Sequence, residues 1–345
     1  MLVNNTNQWM LGVASAAVLM TISLAAYAGG NNQKPPPGKT TNINLAVASN
    51  FYGVPPSNSA ITDLINEFEA ENPNYTVTVT DNGATATLAA NIINGNKAKV
   101  DLFLAADTAT PLMLYLEHFN LVAPYNSSNN SSYNSSNSWS NNNSSSTPPL
   151  YLFNYATGVL AFLSNTLDVS CDLGGTCGYN PNDPNQQPVG IADPSLAPYG
   201  VASQTVLTGR YDLASPLCSS TTTPGNPHVK QPCYANITAA LNAVLNGDVP
   251  VGFVAMSAIC SNGTYPSQGK SALAYFSIEG GATPGTIVNN YKPLTQGGVA
   301  IDERRTAAQD AELEAFVAFM TDFTTSPSPD SPMIATLKKF CYNAP

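Results

Sequence analysis

Segments that read as buried strands alternate with segments that read as amphipathic helices, which predicts an α/β protein of mostly parallel sheets flanked by helices. Two further observations divide it into two lobes. The 345 residues suffice for two units of ordinary size. A tract of Asn and Ser interrupts the alternation near the middle, and the pattern restarts beyond it. Ligands of such sheets gather at the carboxyl ends of the strands, so the expected site is a cleft between the lobes.

The first lobe is expected over residues 42–124 plus 294–345, and the second over 150–293. Residues 43–48 form a short apolar run, a buried strand that ends at Ser49 and Asn50. Ser57 or Ser59 caps a helix whose apolar positions Ile61, Leu64, Ile65 and Phe68 follow a spacing of i, i+3, i+4, i+7. Pro73 stops it. Residues 75–80 alternate Thr and Val and read as a strand. Asp81, Asn82 and Gly83 read as a turn in which Gly takes positive φ, and Leu88 and Ile92 then mark a helix. Thr85 stands at the start of that helix, where its ordinary role is N-cap and its alternative role is hydroxyl donor to an anion. Residues 100–106 are a second buried strand, and Asp107 or Thr108 caps the helix after it.

Residues 126–146 are all Asn or Ser except Tyr133 and Trp139. Such a tract has nothing to bury, and 125–149 is expected to be a disordered insertion. Residues 153–163 read as one strand or a bent pair. Residues 189–192 lead through the Pro198-Tyr199-Gly200 turn into another helix. Asn236 caps a helix carrying Ile237, Leu241 and Val244, and Gly247 closes it. The strand at 249–255 ends at Met256 and Ser257. Weaker strands fall at 273–278 and 298–301, and helices at 306–323 and 332–341.

Charge and cysteine content narrow the function. The chain has 12 Lys+Arg against 22 Asp+Glu, a net charge of −10, so no basic patch offers itself to nucleic acid or an anionic membrane. Residues 1–28 resemble a signal peptide: 11–24 are apolar, and Ala26-Tyr27-Ala28 is a small-x-small cleavage site, although no Lys or Arg precedes it. Residues 29–41, with Pro35, Pro36 and Pro37, are a linker. Export, to a periplasm or beyond the cell, fits the six cysteines as disulfides. Cys171 with Cys177 and Cys218 with Cys233 would close small rings, leaving Cys260 with Cys341 to tie down the tail. With no CxxC and only His118 and His228, a metal site is not expected, nor is a cofactor.

Two α/β units whose strand ends carry neutral donors imply a clamp closing on a small anion. An enzyme is the rival class, but neither GxSxG, HExxH nor a P-loop occurs, and two histidines leave little acid–base equipment. A third class is a secreted surface or matrix protein using the fold as scaffold, which the Asn/Ser tract and cysteines favour.

Four fragments, in shared order and spacing, resemble the periplasmic molybdate-binding proteins of ABC importers. They are 87–95 (Thr-Leu-Ala-Ala-Asn-Ile-Ile-Asn-Gly), 101–107 (Asp-Leu-Phe-Leu-Ala-Ala-Asp), 191–200 (Ile-Ala-Asp-Pro-Ser-Leu-Ala-Pro-Tyr-Gly) and 247–257 (Gly-Asp-Val-Pro-Val-Gly-Phe-Val-Ala-Met-Ser). The resemblance implies a two-lobed periplasmic-binding-protein fold crossed by hinge strands, a monomer that delivers an oxyanion to an ABC transporter membrane subunit. It also implies an anion held by hydroxyls and backbone amides. By position the family's first serine falls on Asn50, with Ser49 before it, and its second hydroxyl on Thr85. Its backbone amides fall on Tyr199 and Ile237. Its binding tyrosine falls on Ala255, which has no hydroxyl, and Ser257 is the nearest stand-in.

Overall fold

The computed structural model describes residues 41–53, 59–122, 152–167, 169, 188–211, 218, 232–260, 262–264, 291–302, 305–325 and 329–345. All lie in one unit, Pro35–Pro345. The expected signal peptide, nearly all of the linker, the insertion, the 273–278 strand, Cys171 and Cys177 fall outside them.

The first sheet has five strands, β1 (Thr41–Ala48), β2 (Tyr75–Gly83), β3 (Leu102–Ala105), β4 (Leu152–Gly158) and β9 (Leu294–Ala300), in the order β2-β1-β3-β9-β4. β1 runs parallel to β2 and β3, while β9 runs antiparallel to β3 and β4. Helices cover both faces because the second half of β1, Leu45–Ala48, is apolar and buried on both. Ile43, Leu45 and Val47 pack with residues of α2 (Ala60–Glu71), α8 (Ala307–Met320) and α9 (Pro332–Lys339). Ala46 points the other way, with Phe103 and Ala105, toward α3 (Thr85–Ile93) and α4 (Ala109–Glu117). Two-sided burial is what parallel strands joined by helical crossovers require.

The second sheet has four strands, β5 (Leu160–Ser164), β6 (Val189–Ala192), β7 (Cys233–Tyr234) and β8 (Val251–Ala255), in the order β5-β8-β6-β7. β6 is parallel to β7 and β8, and β5 is antiparallel to β8. Phe162, Ile191 and Phe253 face Ala202, Val206 and Leu207 of α5 (Pro198–Tyr211). Leu163 and Val254 face Leu241 and Val244 of α6 (Ile237–Asn246). These are two lobes, each a mostly parallel sheet flanked by helices.

Several local expectations meet the structure directly. Ser59 caps α2 by accepting from Thr62 N at 3.2 Å, and Asn236 caps α6 by accepting from Ala239 N at 2.9 Å. Gly247 ends α6 in the left-handed region at φ 80°. Thr306 and Gln309 form a reciprocal capping box on α8. Cys218 is joined to Cys233 and Cys260 to Cys341, with Cα atoms 5.5 and 6.0 Å apart.

One expectation needs correction, and one is borne out with a difference in placement. Residues 81–83 do not turn: β2 runs on through Gly83, which pairs with Ala48, after a register shift between Leu45 and Ala46. The strand continues because its partner β1 continues, and neighbouring backbone outweighs the turn preference of Asp-Asn-Gly. The strand pair at 153–163 splits between sheets. β4 closes the edge of the first sheet, Val159 carries the chain across, and β5 opens the second. Leu294, the first residue of β9, pairs with Gly158 while packing in the core of the second lobe, so a second strand crosses beside the first.

Candidate functional site

Parallel pairing aligns the carboxyl ends of β1, β2 and β3, because Ala48 lies opposite Gly83 and Val47 opposite Leu104. The residues just beyond are Ser49, Thr85 and Ala106. Ala48, Ala84 and Ala106 share one buried cluster with Ala197, Tyr199, Ile237 and Ala255 of the second lobe. The small side chains at these strand ends let the two lobes approach closely. Ala86 N donates to Leu196 O at 3.1 Å, and Thr238 Oγ1 donates to Ser49 O at 3.2 Å, so the contact is also polar.

Thr85 is not the cap of its own helix. Ala84 holds the N-cap position of α3 without a side-chain bond, and Thr85 is the first helical residue. Its Oγ1 accepts from Ala106 N at 3.0 Å and is buried. Because that bond uses a lone pair, the hydroxyl proton remains to be donated. Ser49, also buried, has no side-chain hydrogen-bond partner among the described residues. Tyr199 is the second residue of α5 and Ile237 the first of α6, where backbone N–H groups precede the first intrahelical acceptor. These four residues supply two hydroxyl donors and two amide donors.

Asn50 and Ser257 are brought together, but they are engaged within the protein. Asn50 Nδ2 donates to Tyr342 Oη at 3.2 Å, and Tyr342 Oη donates to Asn50 O at 2.9 Å. Ser257 Oγ donates to the same carbonyl at 3.2 Å. The side chains expected as direct ligand groups at these two positions therefore form the floor of the site. Gln296 Nε2 reaches Tyr199 Oη at 3.5 Å on the same floor, and Gln296 Oε1 is buried without a partner. Gly158 lies against these groups: a Cβ there would collide with Tyr199 Oη and approach Gln296 Nε2 at 2.7 Å.

The phenols here are neutral. Burial pushes the phenols of Tyr199 and Tyr342 far up, with the amide of Asn50 opposing it at both. Burial pushes Tyr291 to about 12 against a backbone bond at Leu160. Asp107, at the end of β3, is raised by burial and held back by its bonds to Thr110, whose N donates at 2.6 Å. The ion pairs of the described residues join Arg305 to Asp101 and Asp310, Lys338 to Asp330 and Lys339 to Asp63, and none of these is a site residue. Among the described residues, no cluster of His, Cys, Asp and Glu is arranged to hold a metal ion.

Tyr342, Gln296 and Gly158 lie against the candidate site residues and were not singled out from the sequence. One signal was available for Tyr342: it directly follows Cys341, whose pairing ties the tail to the second lobe.

The fold is that of periplasmic solute-binding proteins. The chain superposes on the periplasmic molybdate-binding protein of Azotobacter vinelandii with a TM-score of 0.59 and 20% identity, covering 88% of this chain and 99% of that one. A periplasmic thiamin-binding protein superposes with a TM-score of 0.50 and 14% identity, covering 88% and 82% of the two chains. No protein-family model and no curated protein matches the sequence.

Proposed function

We propose that the chain is an exported solute-binding protein that captures a small, fully ionised oxyanion between its lobes and passes it to an ABC importer. What supports this reading is that Tyr199 and Ile237 share one buried cluster with Ala48 and Ala84, the residues immediately before Ser49 and Thr85, so that Ser49 Oγ, Thr85 Oγ1 and the N–H groups of Tyr199 and Ile237 belong to neighbouring strand and helix ends. Helix N-termini and fixed hydroxyls stabilise negative charge without a cation, and more strongly where water is excluded. Donors alone also select by protonation. A dianion accepts everywhere, whereas a protonated anion brings an O–H with no acceptor waiting for it. The molybdate bound by the structurally similar Azotobacter protein makes molybdate and tungstate the first ligands to try. The equipment is for binding without turnover. Among the described residues no helix is long and apolar enough to cross a membrane.

The test is a thermal-shift screen of molybdate, tungstate, sulfate, phosphate and small carboxylates. A ligand present at about 100 times its Kd adds about 2.7 kcal/mol of stability, an unmistakable rise in melting temperature. A flat response across the panel, with the purified protein attaching to cells, would favour the scaffold reading.

A further inference from the structure

We propose that Tyr342, delivered by the C-terminal tail and fixed by the Cys260–Cys341 disulfide, is the positioning residue of the site's first hydroxyl. The inference rests on the binding function proposed above. It assigns to the tail the role of setting the ligand-facing geometry at Ser49.

The argument begins with how the turn after β1 is held. Ser49 and Asn50 open α1 (Ser49–Tyr52), a single helical turn with no side-chain cap. Such a turn has little stability of its own. Three contacts from distant chain segments fix it. Thr238 of α6 donates to Ser49 O, while Ser257 and Tyr342 both donate to Asn50 O. Tyr342 also accepts from Asn50 Nδ2, so it is bonded to both the backbone and the side chain of Asn50. Its ring packs edge-on against Phe51, centroids 5.5 Å apart, one residue further along the same turn. The tail thus grips α1 by two hydrogen bonds and a ring contact, and the Ser49 hydroxyl inherits its direction from that grip.

The tail is in turn well anchored. Cys341 is bonded to Cys260, which ends α7 (Met256–Ile259), the same turn that carries Ser257. On the other side Asn343 exchanges two backbone hydrogen bonds with Thr157 of β4, at 2.8 and 3.0 Å. Tyr342 therefore sits between a covalent link to the second lobe and a backbone link to the first sheet.

The experiment is isothermal titration of the full exported protein with molybdate and tungstate, repeated for four variants. If wild type binds neither but another anion of the thermal-shift panel does, that anion is the titrant; if it binds none of them, the function proposed above and this inference fall together. Given binding, Tyr342→Phe keeps the ring contact and removes the hydroxyl, and its affinity should fall about tenfold, the effect of one to two neutral hydrogen bonds. Ser49→Ala should also weaken binding, and in that background the further loss from Tyr342→Phe should shrink to less than twofold, because Tyr342 acts through Ser49. Cys260→Ser/Cys341→Ser should show a smaller loss than Tyr342→Phe, since the Asn343 link remains. Unchanged affinity of Tyr342→Phe, or losses that multiply in full with Ser49→Ala, would leave wild-type binding standing and overturn the positioning role.

Discussion

Removing the hydroxyl of Thr85 perturbs two interactions at once. Thr85 is 2% exposed, and its Oγ1 is the acceptor for Ala106 N at 3.0 Å. In Thr85→Ala that N–H is left buried and unpaired, which costs about 1–3 kcal/mol of folding stability. For a chain of 345 residues that corresponds to roughly 1–2 °C of melting temperature per kcal/mol. The same substitution removes a donor to a charged ligand, worth about 1.5–3 kcal/mol, or roughly 10- to 150-fold in Kd. Thr85→Ser keeps both bonds and loses one methyl group, about 1 kcal/mol at most. Differential scanning calorimetry of the ligand-free variants and titration calorimetry with molybdate read the two effects separately. If Thr85→Ala melts and binds as wild type does, the hydroxyl is neither partner nor donor, and the reading of this strand end is wrong.

Three further outcomes follow from other parts of the molecule. Glu312 is fully buried, with Oε1 accepting from Thr76 N at 2.8 Å and Oε2 unpaired; burial raises its pKa from 4.5 to about 7. A folded-state pKa above the unfolded value means the native state binds the proton more tightly. The contribution is therefore complete below about pH 4.5 and lost as pH rises through about 7, amounting to about 3 kcal/mol. Glu312→Gln should accordingly melt higher than wild type at pH 8 and alike at pH 4.5, and a pH-independent difference would contradict this. Gly158→Ala should destabilise by about 1–3 kcal/mol through overpacking against Tyr199 and Gln296, measured by denaturant unfolding. Shortening the chain by residues 126–146 should leave the melting temperature unchanged within a degree or two, since loop closure depends weakly on length. A drop of several degrees would show that the tract is packed.

Much of this architecture is legible because its signals are local. The apolar run of β1, the spacing of Ile61, Leu64 and Phe68, and the caps Ser59 and Asn236 each report on a few neighbouring residues. The strand-end rule then places Ser49, Thr85 and Tyr199 near a cleft with no knowledge of contacts. What sequence does not carry is the partner of each group. Asn50 and Tyr342 are 292 residues apart, and nothing near either one announces the other. Asn50 therefore reads as a ligand group when its amide faces the tail. Gln296 falls just before the weak strand expected at 298–301, and nothing local shows that its amide reaches Tyr199 of α5. Gly83 fails in the opposite sense: its local signal for a turn is real, and pairing with β1 overrides it.

The central claim is that a chain of net charge −10 holds an anion with neutral donors alone. Its most direct test is titration of the wild-type protein with molybdate and tungstate at low and at physiological ionic strength. With no ion pair at the site among the described residues, one equivalent should bind saturably and Kd should change less than about threefold between the two conditions. A Kd that collapses as salt rises would show that a cation carries the affinity, and heats that never saturate for any oxyanion would show that the cleft does not take one.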